Sequence, residues 1–121
     1  MDKRFRRSVS HALAGLKMAF STERHVRIHG AFALLAIILG AFLSLSASEW
    51  LWILLWIALV IGAELFNTAL EALTNLASPD YHPLAKKAKD IAAGAVLLCV
   101  IFAVASGLII FVPKLVGMLD N

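Results

Sequence analysis

The chain has 121 residues, 61% of them apolar and 16% charged, with a net charge of +3. A soluble domain averages about 45–50% apolar and about 25% charged, and here the apolar excess is gathered into long runs. The composition therefore excludes an ordinary soluble globule, a disulfide-rich secreted domain and a disordered chain, and the length predicts a single membrane domain over residues 1–121.

Residues 3–22 read as an amphipathic helix. Phe5, Val9, Leu13, Leu16 and Phe20 recur at spacings of three or four and form one face, with Lys3, Arg4, Arg7, His11 and Lys17 mostly off it. A basic, aromatic-bearing helix of this kind suits the cytoplasmic headgroup layer. The plainer alternative is a solvated arm that only sets topology. Thr22-Glu23-Arg24-His25 breaks the pattern and marks a corner. Residues 31–48 carry no charge, and a first span is expected over 27–45. Ser44, Ser46, Ser48 and Glu49 make an outer turn. Trp50, Trp52 and Trp56 then open a second span, expected over 50–76, as aromatic residues do at a membrane interface. Pro79 and Pro83 break the inner connection. Residues 91–112 are 22 positions without a charge, so a third span is expected over 87–112, ending at Pro113. About 20 apolar residues suffice to cross the hydrocarbon core as helix. The fold class is thus all-α integral membrane, a surface helix followed by three transmembrane helices.

Charge sets the expected orientation. Lys3, Arg4, Arg6, Arg7, Lys17, Arg24 and Arg27 precede or open the first span, and Lys86, Lys87 and Lys89 lie between the second and third. The outer turn has no Lys or Arg. Positive residues stay in the cytoplasm, which puts the amino terminus and the second connection inside and Lys114 outside. The single Cys99 lies mid-span and excludes an internal disulfide. The basic segment before the first span lacks the apolar core and cleavage site of a signal peptide.

The inner half of the second span is not uniformly apolar. It holds Glu64, Asn67, Glu71 and Asn75, which at 100° per residue fall within an arc of about 80° and form one polar stripe. An intramembrane carboxylate costs about 2.5–3.5 kcal/mol on insertion scales and usually faces a protein interior or a watery cavity. Lys89 and Asp90 open the third span at the same level, and Glu23 sits at the mouth of the first. Several carboxylates gathered there suit a hard cation such as Mg²⁺. A lysine beside them suits phosphate, and a further carboxylate is available to take a hydroxyl proton, which together resemble the parts of phosphoryl transfer. Composition and spacing leave three readings open: a lipid-directed enzyme, a proton or ion path along Glu64 and Glu71, and a structural bundle in which the carboxylates pair with Lys89. No GxxxxGK[ST] or GxGxxG loop is present, no CxxC or HExxH suggests zinc, and nothing points to a nucleic-acid partner. His25, His29 and His82 read as interface or capping residues.

Glu64-Leu65-Phe66-Asn67-Thr68-Ala69-Leu70-Glu71 has the form ExxN[ST]A[IL]E and is followed by Ala88-Lys89-Asp90 and the small-residue run Ala92-Ala93-Gly94-Ala95. Glu23 and Arg27 stand before the first span at matching spacing. Over nearly its whole length the chain resembles the small prokaryotic diacylglycerol kinase family, which includes the undecaprenol kinases of Gram-positive bacteria. Thr22-Glu23-Arg24, His82-Pro83-Leu84-Ala85-Lys86 and the run at 107–114 look more like the undecaprenol kinase branch. The resemblance implies a homotrimer with sites at the membrane–cytoplasm boundary near subunit interfaces, in a bacterial inner membrane. It implies transfer of the γ-phosphate of ATP, with Mg²⁺, to a lipid alcohol. It implies Glu64 as base on the lipid hydroxyl, Glu23 and Glu71 as metal ligands, Asn67 and Lys89 as phosphate contacts, and Asp90 on the nucleotide side. Asn75, at the nucleotide end of the stripe, stands where the family has Asp. It keeps the shape and hydrogen bonding and removes one negative charge.

Overall fold

The computed structural model describes residues 2–121. Among them the fold is helical: α1 (Lys3–Thr22), α2 (Arg24–Phe42), α3 (Ala47–Ala77) and α4 (Pro83–Leu119). Helices α2, α3 and α4 are each long and apolar enough to cross a membrane. At 1.5 Å per residue, α2 is about 28 Å long, close to the hydrocarbon thickness. The 31 residues of α3 and the 37 of α4 run well past it, so their polar ends extend beyond the apolar layer.

The corner between α1 and α2 is one extended residue, Glu23. Arg27, in the first turn of α2, reaches back and donates from Nη1 to the carbonyls of Phe20 (3.2 Å) and Ser21 (2.9 Å). Those carbonyls belong to the last turn of α1, where helix geometry leaves them without an intrahelical donor. The same arginine thus caps one helix while standing in the next. Gly30 makes room for this docking, because a Cβ there would lie 2.8 Å from the Phe20 ring.

The first span stops at Phe42 rather than at residue 45. Ser44 adopts a left-handed φ of 53°, and the Leu45 N–H donates to the Gly40 carbonyl at 3.2 Å. This is a Schellman-type end, with the apolar side chain of the returning residue folded onto the last turn. Gly40 is the permissive position: an added Cβ would meet the Trp50 ring at 2.7 Å and Leu45 Cδ1 at 2.9 Å. The turn between α2 and α3 lies three residues earlier than the sequence implied, because Ser46 caps α3. Its hydroxyl accepts the Glu49 N–H while the Glu49 carboxylate accepts the Ser46 N–H at 2.8 Å, a reciprocal capping box. Glu49 also meets Lys114 Nζ at 3.2 Å. The Ser46 N–H holds the Glu49 carboxyl below the ordinary carboxylate range; burial opposes it, and the Lys114 ammonium adds a further lowering effect.

Pro113 does not end the last helix, which continues to Leu119. Proline removes one helical donor, the one that would bond the carbonyl four residues back, but a long membrane helix tolerates that loss where neighbours hold the segment in place. Lys114, clasped to Glu49 at the start of α3, is such a tether. At the other end α4 starts at Pro83, earlier than residue 87. Proline is favoured in the first turn, and His82 Nδ1 accepts the Leu84 N–H at 3.1 Å as the N-cap. His82 is therefore a capping residue, as its position implied.

Helix α3 is the centre of the packing, most extensively against α4, less against α2, with α1 touching α2 and α3. Trp56 of α3 and Phe102 of α4 stack with ring centroids 6.0 Å apart. The core is thin: Ala19, Val26, Leu45, Ile53, Val60 and Val96 are its buried apolar residues, and Val26 alone is fully enclosed. The apolar face of α1 stays exposed on the chain, with Leu13 60% and Phe5 56% accessible.

Candidate functional site

Among the described residues, Glu64 is the one charged or polar residue that is buried. Its position follows from the helical period. Ile53, Val60 and Glu64 are the buried residues of α3, spaced seven and four apart, so the carboxylate lies on the same face that packs the core. Its partner is His29 of α2, whose Nε2 lies 3.2 Å from Glu64 Oε1. Carboxylate and imidazole side chains are 7% and 19% exposed. An ionised carboxylate without a partner in such a setting costs several kcal/mol, and the His29 ring nitrogen is the polar group in contact with it.

The rest of the stripe descends from this pair. Asn67 Nδ2 donates to Glu71 Oε1 at 3.3 Å, one helical turn along. Asn67 Oδ1 is buried without a hydrogen-bond partner, which leaves a carbonyl oxygen and a carboxylate side by side. Two oxygens of this type fit a hard divalent cation. At the end of the stripe Lys89 of α4 donates to Asn75 Oδ1 of α3, joining the two helices. Asp90 pairs with Lys86 one turn back on α4, in the open. Glu23 stands at the α1–α2 corner, half-buried, and accepts from Thr22 Oγ1 at 3.4 Å.

These contacts differ from a cluster about one point. From Glu64 to Asn75 the stripe is about 16 Å long, and its members meet different partners along it. Lys89 bonds the amide of Asn75 and neither Glu64 nor Glu71, so the lysine is not the counter-ion of the stripe. Among the described residues no three His, Cys, Asp or Glu side chains converge as a metal-binding group. His29, read from the sequence as an interface or capping residue, is the group that meets Glu64. Only its place at the start of the first apolar run hinted at this.

An apolar groove of about 450 Å³ opens between α2, α3 and α4, with His29 its first lining residue along α2 and Phe32, Trp56, Ile57, Val104 and Phe111 among its walls. It joins the buried pair to the span of the membrane helices. The arrangement presents His29 in the wall of an apolar groove with the Glu64 carboxylate behind it, oxygen donors one and two turns beyond Glu64, and an ammonium at the polar end.

Comparison with known proteins accords with these features. Residues 10–111 match the family model of prokaryotic diacylglycerol kinase. The chain is 43% identical over 112 residues to the undecaprenol kinase of Bacillus subtilis (strain 168), covering 93% of this chain and 91% of that protein. It is 42% identical over 113 residues to a diacylglycerol kinase of Synechocystis sp., covering 93% of this chain but only 65% of that protein. To the diacylglycerol kinase of Escherichia coli (strain K12) it is 31% identical over 98 residues, which are 81% of this chain and 80% of that one. The match spans all three apolar helices and the whole polar stripe, and the chain belongs to the prokaryotic diacylglycerol kinase family, a family of ATP-dependent lipid kinases.

Proposed function

We propose that this protein transfers the γ-phosphate of ATP to undecaprenol, with Mg²⁺, at the cytoplasmic side of a bacterial inner membrane. The observation that carries the reading is the buried Glu64 carboxylate beside an apolar groove. A long polyprenol presents one primary hydroxyl on an apolar chain, so the chain belongs in the groove and the hydroxyl beside a base. The high coverage of both chains in the match to the Bacillus subtilis undecaprenol kinase favours undecaprenol over diacylglycerol.

Glu64 is the base that takes the hydroxyl proton. Glu71 and Glu23 are the metal ligands, with the free Asn67 Oδ1 beside Glu71 as a further oxygen donor. Mg²⁺ held there would supply neutralisation of the charge on the transferring phosphate and the leaving ADP. Lys89 contacts phosphate from the polar end. Asn67 does the same if its Nδ2 turns away from Glu71. Asp90 and Asn75 support the nucleotide side. A homotrimer brings these parts together: the described residues of one chain form no group of three metal ligands, and most large apolar side chains are uncovered on one chain. The small-residue run at 92–95 allows helices to approach closely. Helix α1 lies in the inner headgroup layer with its exposed apolar face toward lipid.

The test is a side-by-side assay of the purified protein in bilayers with labelled ATP and Mg²⁺, offered undecaprenol and diacylglycerol separately. Labelled undecaprenyl phosphate is expected to be the main product. A preference for diacylglycerol overturns the substrate assignment. If neither lipid is phosphorylated and liposomes holding the protein conduct protons, the polar stripe is an ion path.

Asn75→Asp restores the family's residue and turns the Lys89 hydrogen bond into an ion pair. Activity is expected to equal or exceed that of the parent chain. Because the contact is exposed, thermal stability should rise by no more than about 1 kcal/mol. Turnover and a melting curve in the same detergent check both.

A further inference from the structure

We propose that His29 is the positioning residue for Glu64, and this rests on Glu64 acting as the base in lipid phosphorylation. The two side chains come from different helices, α2 and α3, and meet at 3.2 Å. Both backbones are regular helix at these positions, so the geometry of the pair is set by packing rather than by a loop. Glu64 Oε1 is engaged by His29 Nε2. Its other oxygen, Oε2, has no protein hydrogen-bond partner among the described residues and remains for the substrate.

This is the arrangement in which a base is itself oriented by a third group. As the lipid oxygen bonds to the γ-phosphorus, the bond from that phosphorus to the bridging oxygen of ADP breaks, and ADP leaves with the electron pair. The hydroxyl proton passes to Glu64 Oε2. His29 Nε2 stays in contact with Oε1 throughout. Its role is to hold the carboxylate in one rotamer and to keep it from rotating toward the oxygen donors further along the stripe. The imidazole also lines the groove, so the residue that orients the base touches the compartment in which the lipid chain lies.

Two variants and one spectroscopic measurement test the inference. His29→Ala is expected to lower kcat for undecaprenol by about 10–100-fold, the loss that a displacement near 1 Å of a reacting group produces, while KM for MgATP stays within twofold. His29→Gln keeps an N–H donor of similar reach and is expected to recover most of the lost turnover. In the double variant with Glu64→Gln, removing His29 should cost nothing further, since the base it orients is gone. In the full-length protein in bilayers, the ¹⁵N resonance of His29 Nε2 is expected to move on Glu64→Gln. Parental kcat in His29→Ala overturns the inference, as does His29→Gln no faster than His29→Ala, or a resonance that ignores Glu64→Gln. The lipid reading fails separately, through a parent chain that phosphorylates neither lipid, and the resonance measurement reports on the pair in that case also.

Discussion

Glu64→Gln is expected to lower lipid phosphorylation by about 10²–10⁴-fold, the usual worth of a general base, while MgATP still binds with its parental affinity. Glutamine keeps the shape of the side chain and a carbonyl oxygen for His29, so the core around Ile53 and Val60 has no reason to collapse. It has no basic oxygen to take a hydroxyl proton. Measuring turnover, MgATP affinity and melting temperature on one preparation separates the outcomes. A purely structural carboxylate predicts a loss of stability without a selective loss of turnover, and full activity in Glu64→Gln sinks the base assignment. Replacing a buried carboxylate by a neutral amide removes the cost of burying a charge, so a gain in thermal stability alongside the loss of activity would be consistent with the catalytic role.

Glu71→Gln has a different signature. Glu71 lies two turns along α3 from Glu64, with Asn67 Nδ2 on one of its oxygens and the unpartnered Asn67 Oδ1 next to it. Loss of the anionic oxygen weakens a hard-cation site directly. Turnover is expected to fall at least 10²-fold, and the Mg²⁺ concentration for half-maximal nucleotide binding to rise at least tenfold, about 1.4 kcal/mol or more. A titration of nucleotide binding against Mg²⁺ in the two variants makes the comparison. If Glu64→Gln and Glu71→Gln shift the Mg²⁺ requirement equally, the division between base and metal ligand is wrong. If neither shifts it and both lower the stability of the assembly, the stripe serves packing between helices.

The sequence by itself determined the number and kind of the helices. Long apolar runs have one way to satisfy their backbone hydrogen bonds in lipid, which is to become helix, and α2, α3 and α4 follow from that. The 3–4 spacing of Phe5, Val9, Leu13, Leu16 and Phe20 fixes α1 for the related reason that side chains three and four apart share a helical face. The polar stripe was legible too, since Glu64, Asn67, Glu71 and Asn75 sit on a single helix and their common face is a matter of arithmetic. Helix ends were less legible. The stop at Phe42 comes with a left-handed Ser44 and Leu45 folding back over Gly40, and α4 runs on through Pro113 with the adjacent Lys114 paired to Glu49 of α3. The first is a local turn that goes unannounced because its left-handed residue is Ser rather than Gly, and the second joins residues 65 positions apart.

Asn67–Glu71 and Lys86–Asp90 meet through helical spacing alone, but the polar contacts between helices were decided by tertiary structure. His29 and Glu64 are 35 positions apart and Asn75 and Lys89 are 14 apart, and their meeting depends on how α2 and α4 are rotated and shifted against α3. A helix's hydrophobic pattern constrains that rotation only when one face is apolar and the other polar. These spans are apolar nearly all round, because lipid and protein both accept apolar side chains, so the sequence carries little record of which face turns inward. The close packing of Trp56 on Phe102 and of Gly40 under Trp50 selects the rotation, and through it the histidine that stands beside the buried carboxylate.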